Sequence, residues 1–454
     1  MKGPWIAAVL VILLASAVCA EEDFLTVSGK LNLRAVVPLD INSEMEYPSF
    51  LGRVKVDTKP AAWRFHTCLE GGWDGSVSRP VQDHTLLKMW DRVYQSNTPF
   101  LELKEFYGSY SNNFLEIRAG IQRFSWGRLD EYPVNDLLNP WDYSQFLRKP
   151  LEDRKIGVPS LSARLTEEKW NLEAVWVPVL VPYRLPRLTE RWSGFSEITA
   201  MAKDYQAEII TRDPELPSRT LESGSAGIRI QRTGTVDWGI TLFHGYDPRP
   251  VFKATELLIA PVSGKIVVDP GAVPDFHKMS SFGADAAIVL GDWSLRAEAA
   301  YAVGRYFNTT VELWGYPTIP AFGTYILNPN EHKSDTLEYG IGADYRVFED
   351  CVLTMQAQQT LILDRPDTLY NQKLETIVWS NLKNGFLNQK VETNLSIAYN
   401  PEHGAAMAKA NAWYALSDAW KVGVTAVTFR GPSQSLFGRY SKNDQVELDL
   451  VFSW

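Results

Sequence analysis

The sequence predicts an all-β chain: a transmembrane, antiparallel outer-membrane β-barrel of about 18 strands, with short periplasmic turns and long extracellular loops. Three observations predict it. Apolar and polar residues alternate through run after run of strand length. Short turns alternate with long connections along the 454 residues. Aromatic residues gather beside the short turns, where an amphipathic ring is stable at a lipid–water boundary.

The amino terminus comes first. "MKGPWIAAVLVILLASAVCA" has a basic residue, Lys2, then an apolar stretch, then Val18-Cys19-Ala20 before Glu21. Small residues before a cut fit a signal peptide over residues 1–20, cleaved after Ala20, with the barrel occupying 21–454. The apolar stretch is short of the roughly 20 residues a spanning helix needs. Cys68 and Cys351 would remain, and their settings do not indicate a disulfide framework. A net charge of −9 argues against nucleic acid as a partner.

The alternating runs fall near 25–37, 49–58, 61–73, 99–110, 114–124, 157–166, 170–181, 222–232, 236–246, 280–290, 293–304, 336–347, 352–362, 373–383, 389–400, 404–415, 419–430 and 443–454. "LTVSGKLNLRAVV" sets Leu25, Val27, Leu31, Leu33 and Ala35 against Lys30, Asn32 and Arg34. "LEYGIGADYRVF" sets Leu337, Tyr339, Ile341 and Ala343 against Glu338, Asp344 and Arg346. Most runs have the length a tilted strand needs to cross a bilayer.

Thr233-Gly234-Thr235 and Gly291-Asp292 carry hairpin-turn chemistry. Asp74–Pro99, Gly127–Gly157, Pro182–Glu222, Asp247–Ser280 and Arg305–Thr336 are long. Tyr110, Trp170, Trp238, Trp293, Tyr345, Tyr414, Trp420 and Trp454 sit by the short turns and read as a periplasmic girdle. "VELDLVFSW" is an amphipathic final strand, so Phe452 and Trp454 are expected to anchor that girdle and to serve as the assembly signal.

The inward files mix signs: Arg34, Glu70, Glu102, Lys104, Arg118, Glu173, Arg229, Asp285, Arg296, Glu298, Lys409, Glu447 and Asp449 among others. Such charges are costly in a dry core and cheap in a water-filled bore. The segment Gly120–Pro159 stands out. Its loop, 127–157, has Asp130, Glu131, Asp136 and Asp142 early, and Arg148, Lys149, Arg154 and Lys155 late. Leu137, Leu138, Trp141 and Phe146 are too apolar to stay in water. The loop is therefore expected either to fold into the bore as a constriction or to pack over the mouth as a lid. As a constriction it would set Arg148 and Arg154 across from Asp130, Glu131 or Asp142. Arg118, Gln122 and Arg123 on the parent strand would complete the pore lining.

These residues carry a resemblance. Gly120-x-Gln122, Trp126-Gly127, Asn139-Pro140-x-Asp142 and Arg148-x-Pro150-x-Glu152 resemble the hallmark of a bacterial outer-membrane barrel family catalogued as a domain of unknown function. The strand is also similar to one in alginate-export barrels. Ile121 departs from the Arg usual in the family of unknown function, with Arg123 as the nearby substitute. The resemblance implies transport or export of hydrophobic compounds beside an efflux or export system.

No lipase elbow, HExxH or phosphate loop is present. Asp83-His84 and Glu331-His332 are adjacent acid–His pairs in external loops, a common chance pattern. The sequence thus points to a porin-like channel without catalysis or cofactor. Its expected partners are the outer-membrane bilayer and the barrel-assembly machinery. The competing reading is a structural or interaction barrel, such as a sheath for a partner protein.

Overall fold

The computed structural model describes residues 24–40, 46, 48–58, 62–76, 94–95, 100–187, 190–193, 206–263, 265–310, 323–327 and 330–454. The expected signal peptide lies outside these residues. Eighteen antiparallel strands form one sheet. They are β1 (Leu25–Pro38), β2 (Ser49–Thr58), β3 (Trp63–Trp73), β4 (Phe100–Ser111), β5 (Leu115–Gln122), β6 (Val158–Glu167), β7 (Trp170–Val177), β8 (Ser225–Arg232) and β9 (Val236–Tyr246). The second half comprises β10 (Lys278–Leu290), β11 (Trp293–Asn308), β12 (Glu331–Phe348), β13 (Cys351–Ile362), β14 (Leu374–Phe386), β15 (Val391–Asn400), β16 (Ala405–Ala415), β17 (Trp420–Arg430) and β18 (Gln445–Ser453). Each strand pairs with the next, and β18 returns to β1 in the register Lys30↔Ser453 to Pro38↔Gln445. The sheet closes and leaves no edge strand.

Alternation decides the faces. Ile341 (65% exposed), Phe65, Phe282 and Leu448 point outward, while Glu298, Arg229 and Glu447 are buried inside. Inward charges are paired along the wall: Arg34 with Asp449 at 2.8 Å and Arg164 with Glu173 at 2.8 Å across adjacent strands, and Arg229 of β8 with Asp285 of β10, past β9, at 2.7 Å. At the short-turn end the rings form a belt. Trp63 meets Tyr110 at 5.0 Å, Trp170 meets Trp238 at 5.4 Å, and Trp293 meets Tyr345 at 4.5 Å. Trp420 meets Phe452 at 4.8 Å, and Phe452 stacks on Trp454. Turn chemistry is local: Gly291 takes φ +60° before Asp292, and the Asn112 side chain accepts the N–H groups of Phe114 and Leu115.

Several expectations are corrected. The run 170–181 ends as a strand at Val177, because Pro178 brings no N–H to the ladder and Val181 turns into a buried cluster. β12 begins at Glu331, well before the expected 336, and lengthens the wall at its loop end. Asp247–Ser280, expected as a long connection, holds a ribbon of Val251–Ala254 with Ala272–Asp275 and two strands of a four-stranded sheet. The inner wall is also not uniformly polar. Trp379, Ala398, Met407, Val427 and Phe429 face inward and meet apolar loop residues. Cys68 and Cys351 are free and buried.

Candidate constriction site

The segment between β5 and β6 folds back against the inner wall, and local hydrogen bonding dictates how. Asn139 sits at the neck. Its Oδ1 accepts the Phe124 N–H at 2.6 Å, and its Nδ2 donates to the carbonyls of Gln122 (3.1 Å) and Ile156 (2.8 Å). One amide side chain thereby ties the outgoing strand to the returning one. The pairing continues from Ile156 N–H to Pro140 O and from Asp142 N–H to Arg154 O. Gln122, 2% exposed, donates to the Ser160 carbonyl at 3.1 Å and accepts from Ser162 Oγ at 2.9 Å, bracing the neck to β6.

Beyond the neck the chain crosses the bore. Trp126 donates its ring N–H to Glu173 on β7 at 2.9 Å. Gly127 has φ +108°, and any Cβ there would press on the Glu298 carboxylate, so glycine is needed for this close approach. That carboxylate, on β11, accepts four backbone N–H groups: those of Arg128, Leu129 (2.6 Å), Val134 (2.9 Å) and Asn135 (3.1 Å). Leu129 and Val134 pack on Ala300 of the same strand. Arg128 reaches Asp285 on β10 at 2.5 Å, and Asp130 reaches Arg296 on β11 at 2.8 Å. Glu298 is the sixth residue of β11, about 16 Å along the strand from the periplasmic end. The loop tip therefore lies deep in the barrel.

The later half holds the other side of the wall. Phe146 stacks on Tyr440 with ring centroids 4.2 Å apart and contacts Phe429 on β17. Arg148 bonds Glu447 on β18 at 2.7 Å and Glu46 at 2.9 Å, and Lys409 on β16 donates to its carbonyl at 2.8 Å. Beside this half remains an open pocket against β1–β4, lined in part by Arg34, Arg53, Glu70, Lys104, Arg148 and Asp153.

The eight residues expected to line the pore separate into two groups. Gln122, Asp142, Arg148 and Arg154 are at most 4% exposed and hold the loop in place. Arg118, Arg123, Asp130 and Glu131 retain contact with lumenal space. Arg154 does meet Glu131. Arg148 instead faces Glu46 and Glu447, and Asp142 pairs with Lys149 (2.8 Å) and Arg184 (3.4 Å). Burial opposes ionisation of Asp142, but those two cations outweigh it and hold its carboxyl well below the usual range. Arg118 pairs with Glu116 and lies 5.4 Å from the Tyr107 ring, while Arg123 spans Glu105 and the Glu152 carbonyl.

Sequence reasoning placed Glu298 on an inward file but could not mark it as the anchor, because its partners are backbone amides more than 160 positions away. Arg184, which bonds Glu102 at 2.9 Å and Asp142, comes from the proline-rich stretch after β7, where no periodicity identifies an inward position.

Residues 91–450 match the profile of the family described as Protein of unknown function (DUF1302). The chain belongs to this family. The loop residues Gly120 to Glu152 lie within the matched span of this DUF1302 chain. No curated protein matches its sequence. Among solved structures, OccAB4 of Acinetobacter baumannii is similar over 96% of this chain and 98% of its own, at 9% identity and a TM-score of 0.50. The outer membrane channel DcaP of the same organism covers 95% and 97% at 9% identity and a TM-score of 0.40. OmpT of Vibrio cholerae covers 96% and 99% at 9% identity and 0.40. The OccAB4 likeness is one of fold: a DUF1302 chain builds a porin-like barrel.

Proposed function

We propose that this DUF1302 chain is a porin-like channel of the outer membrane, carrying small or hydrophobic solutes by passive diffusion or export, with no chemistry of its own. The outward apolar face and the aromatic belt suit a bilayer. Phe452 and Trp454 serve the barrel-assembly machinery, and the signal peptide delivers the chain to it.

The observation that carries the reading is the anchoring of the loop tip on Glu298 deep in the bore, while an open pocket remains against β1–β4 beside the later half of the loop. A fixed obstacle of this kind narrows a wide barrel without closing it and sets which solutes pass. Lumenal charge pairs such as Arg53–Glu70 and Arg34–Asp449 flank the remaining path. A second reading, a plugged barrel acting as scaffold or sheath beside an export system, is favoured by how many wall strands hold the loop.

Conductance decides between them. Purified full-length protein in planar bilayers should give discrete ohmic steps; a preparation that is folded yet silent would support the plugged scaffold.

A further inference from the structure

His277, Asp275 and Glu331 meet at the loop end of the barrel, away from the constriction. Asp275 ends the ribbon strand Ala272–Asp275, His277 immediately precedes β10, and Glu331 opens β12. His277 Nε2 is 3.5 Å from a Glu331 carboxylate oxygen and 3.8 Å from Oδ2 of Asp275. The three donor atoms all lie within 4.8 Å of one another. Ligands about 2.0–2.2 Å from a tetrahedral metal ion stand roughly 3.2–3.6 Å apart, so modest tightening brings all three onto one ion.

Further observations point to a cation there. The imidazole lies flat on Tyr306, with centroids 3.7 Å apart and planes 14° apart, which fixes the direction of its Nε2. Nε2 of His277 and Oε1 of Glu331 are closed off from water, and neither has a hydrogen-bond partner. Oδ1 of Asp275 is already taken by the Phe276 N–H at 2.7 Å, leaving Oδ2 for the cluster. Among the described residues, neither carboxylate has a Lys or Arg within ion-pair distance; His277 is their one basic neighbour. Two carboxylates and an imidazole nitrogen, short of positive charge, are a donor set for a borderline divalent ion.

We propose that Asp275, His277 and Glu331 bind one divalent transition-metal ion of zinc-like chemistry, with water in the remaining position. The ion would pin the ribbon to the start of β12. Asn308 and Asn330 already hold the same ribbon through the backbone of Phe252. The proposal does not depend on the channel reading.

The test uses the full-length barrel, purified in detergent and stripped with a chelator. Zn²⁺ titration calorimetry should report one ion per chain, and Co²⁺ should give a d–d absorption band of low coordination number. His277→Ala and, separately, Glu331→Gln should each weaken Zn²⁺ binding at least tenfold. Heat-modifiable migration in gels shows that each variant is folded. Two results would overturn the assignment: no Zn²⁺ uptake by folded wild-type protein, or equal uptake by folded His277→Ala.

Discussion

Val134 donates its backbone N–H to the Glu298 carboxylate at 2.9 Å, across 164 positions of sequence. Three more N–H groups converge on the same two oxygens, so one wall side chain holds a whole loop tip. Hydrogen bonds to a charged acceptor contribute about 1.5–3 kcal/mol each, and an orphaned amide costs its desolvation. Glu298→Ala should release the tip while the sheet stays closed. Protease cutting within 127–136 of folded protein should rise strongly, and less so in Glu298→Gln, which keeps one acceptor oxygen. Unchanged cutting in Glu298→Ala would mean that the tip is held by its side chains alone.

The two faces of β11 and β12 respond differently to charge. Ile341→Arg places a cation on the outward face, where it costs roughly 2–4 kcal/mol at the bilayer midplane. Ala297→Arg should act likewise. Ala300 faces inward but is 5% exposed beneath Leu129 and Val134. Ala300→Arg should therefore displace the loop tip and leave the barrel assembled, seen as folded protein with altered conductance. A barrel that unfolds with Ala300→Arg and tolerates Ile341→Arg would invert the assignment of faces.

This last case marks where sequence reading stops. Inward and outward files follow from a period of two residues, and the outward set from Leu33 to Leu448 was legible for that reason. The number of strands followed too, because turn residues punctuate each hairpin. Alternation sets Ala300 on the inward file, but it says which way a side chain points and nothing about what later covers it. The apolar inner patch of Trp379, Met407 and Phe429 escaped notice for the same reason: it is complementary to Phe146 and Tyr440, brought there by chain folding. The loop was recognisable from its apolar residues and segregated charges. Of its ion pairs, Arg154 with Glu131 was within reach of that reading, whereas Arg148 finds Glu447 and Glu46 in distant segments of the chain.

The closing strand makes its own prediction. Trp454 exchanges backbone hydrogen bonds with Gly29 at 3.1 Å in both directions, and Phe452 packs on Trp420. Deleting Phe452–Trp454 removes the last rungs between β18 and β1 together with their part of the aromatic belt. The truncated chain should accumulate unassembled in the periplasm. Normal amounts of heat-modifiable barrel in the outer membrane would contradict this role.

Single-channel conductance with and without the loop tests the central claim most directly. Replacing residues 127–154 with a short Gly/Ser linker removes the tip held by Glu298, the Phe146 stack and the Arg148 pairs, while leaving all eighteen strands. The account predicts a folded, heat-modifiable barrel whose unitary conductance is several-fold above wild type. A folded variant with the same conductance as wild type would contradict it, because the loop would then not set the bore.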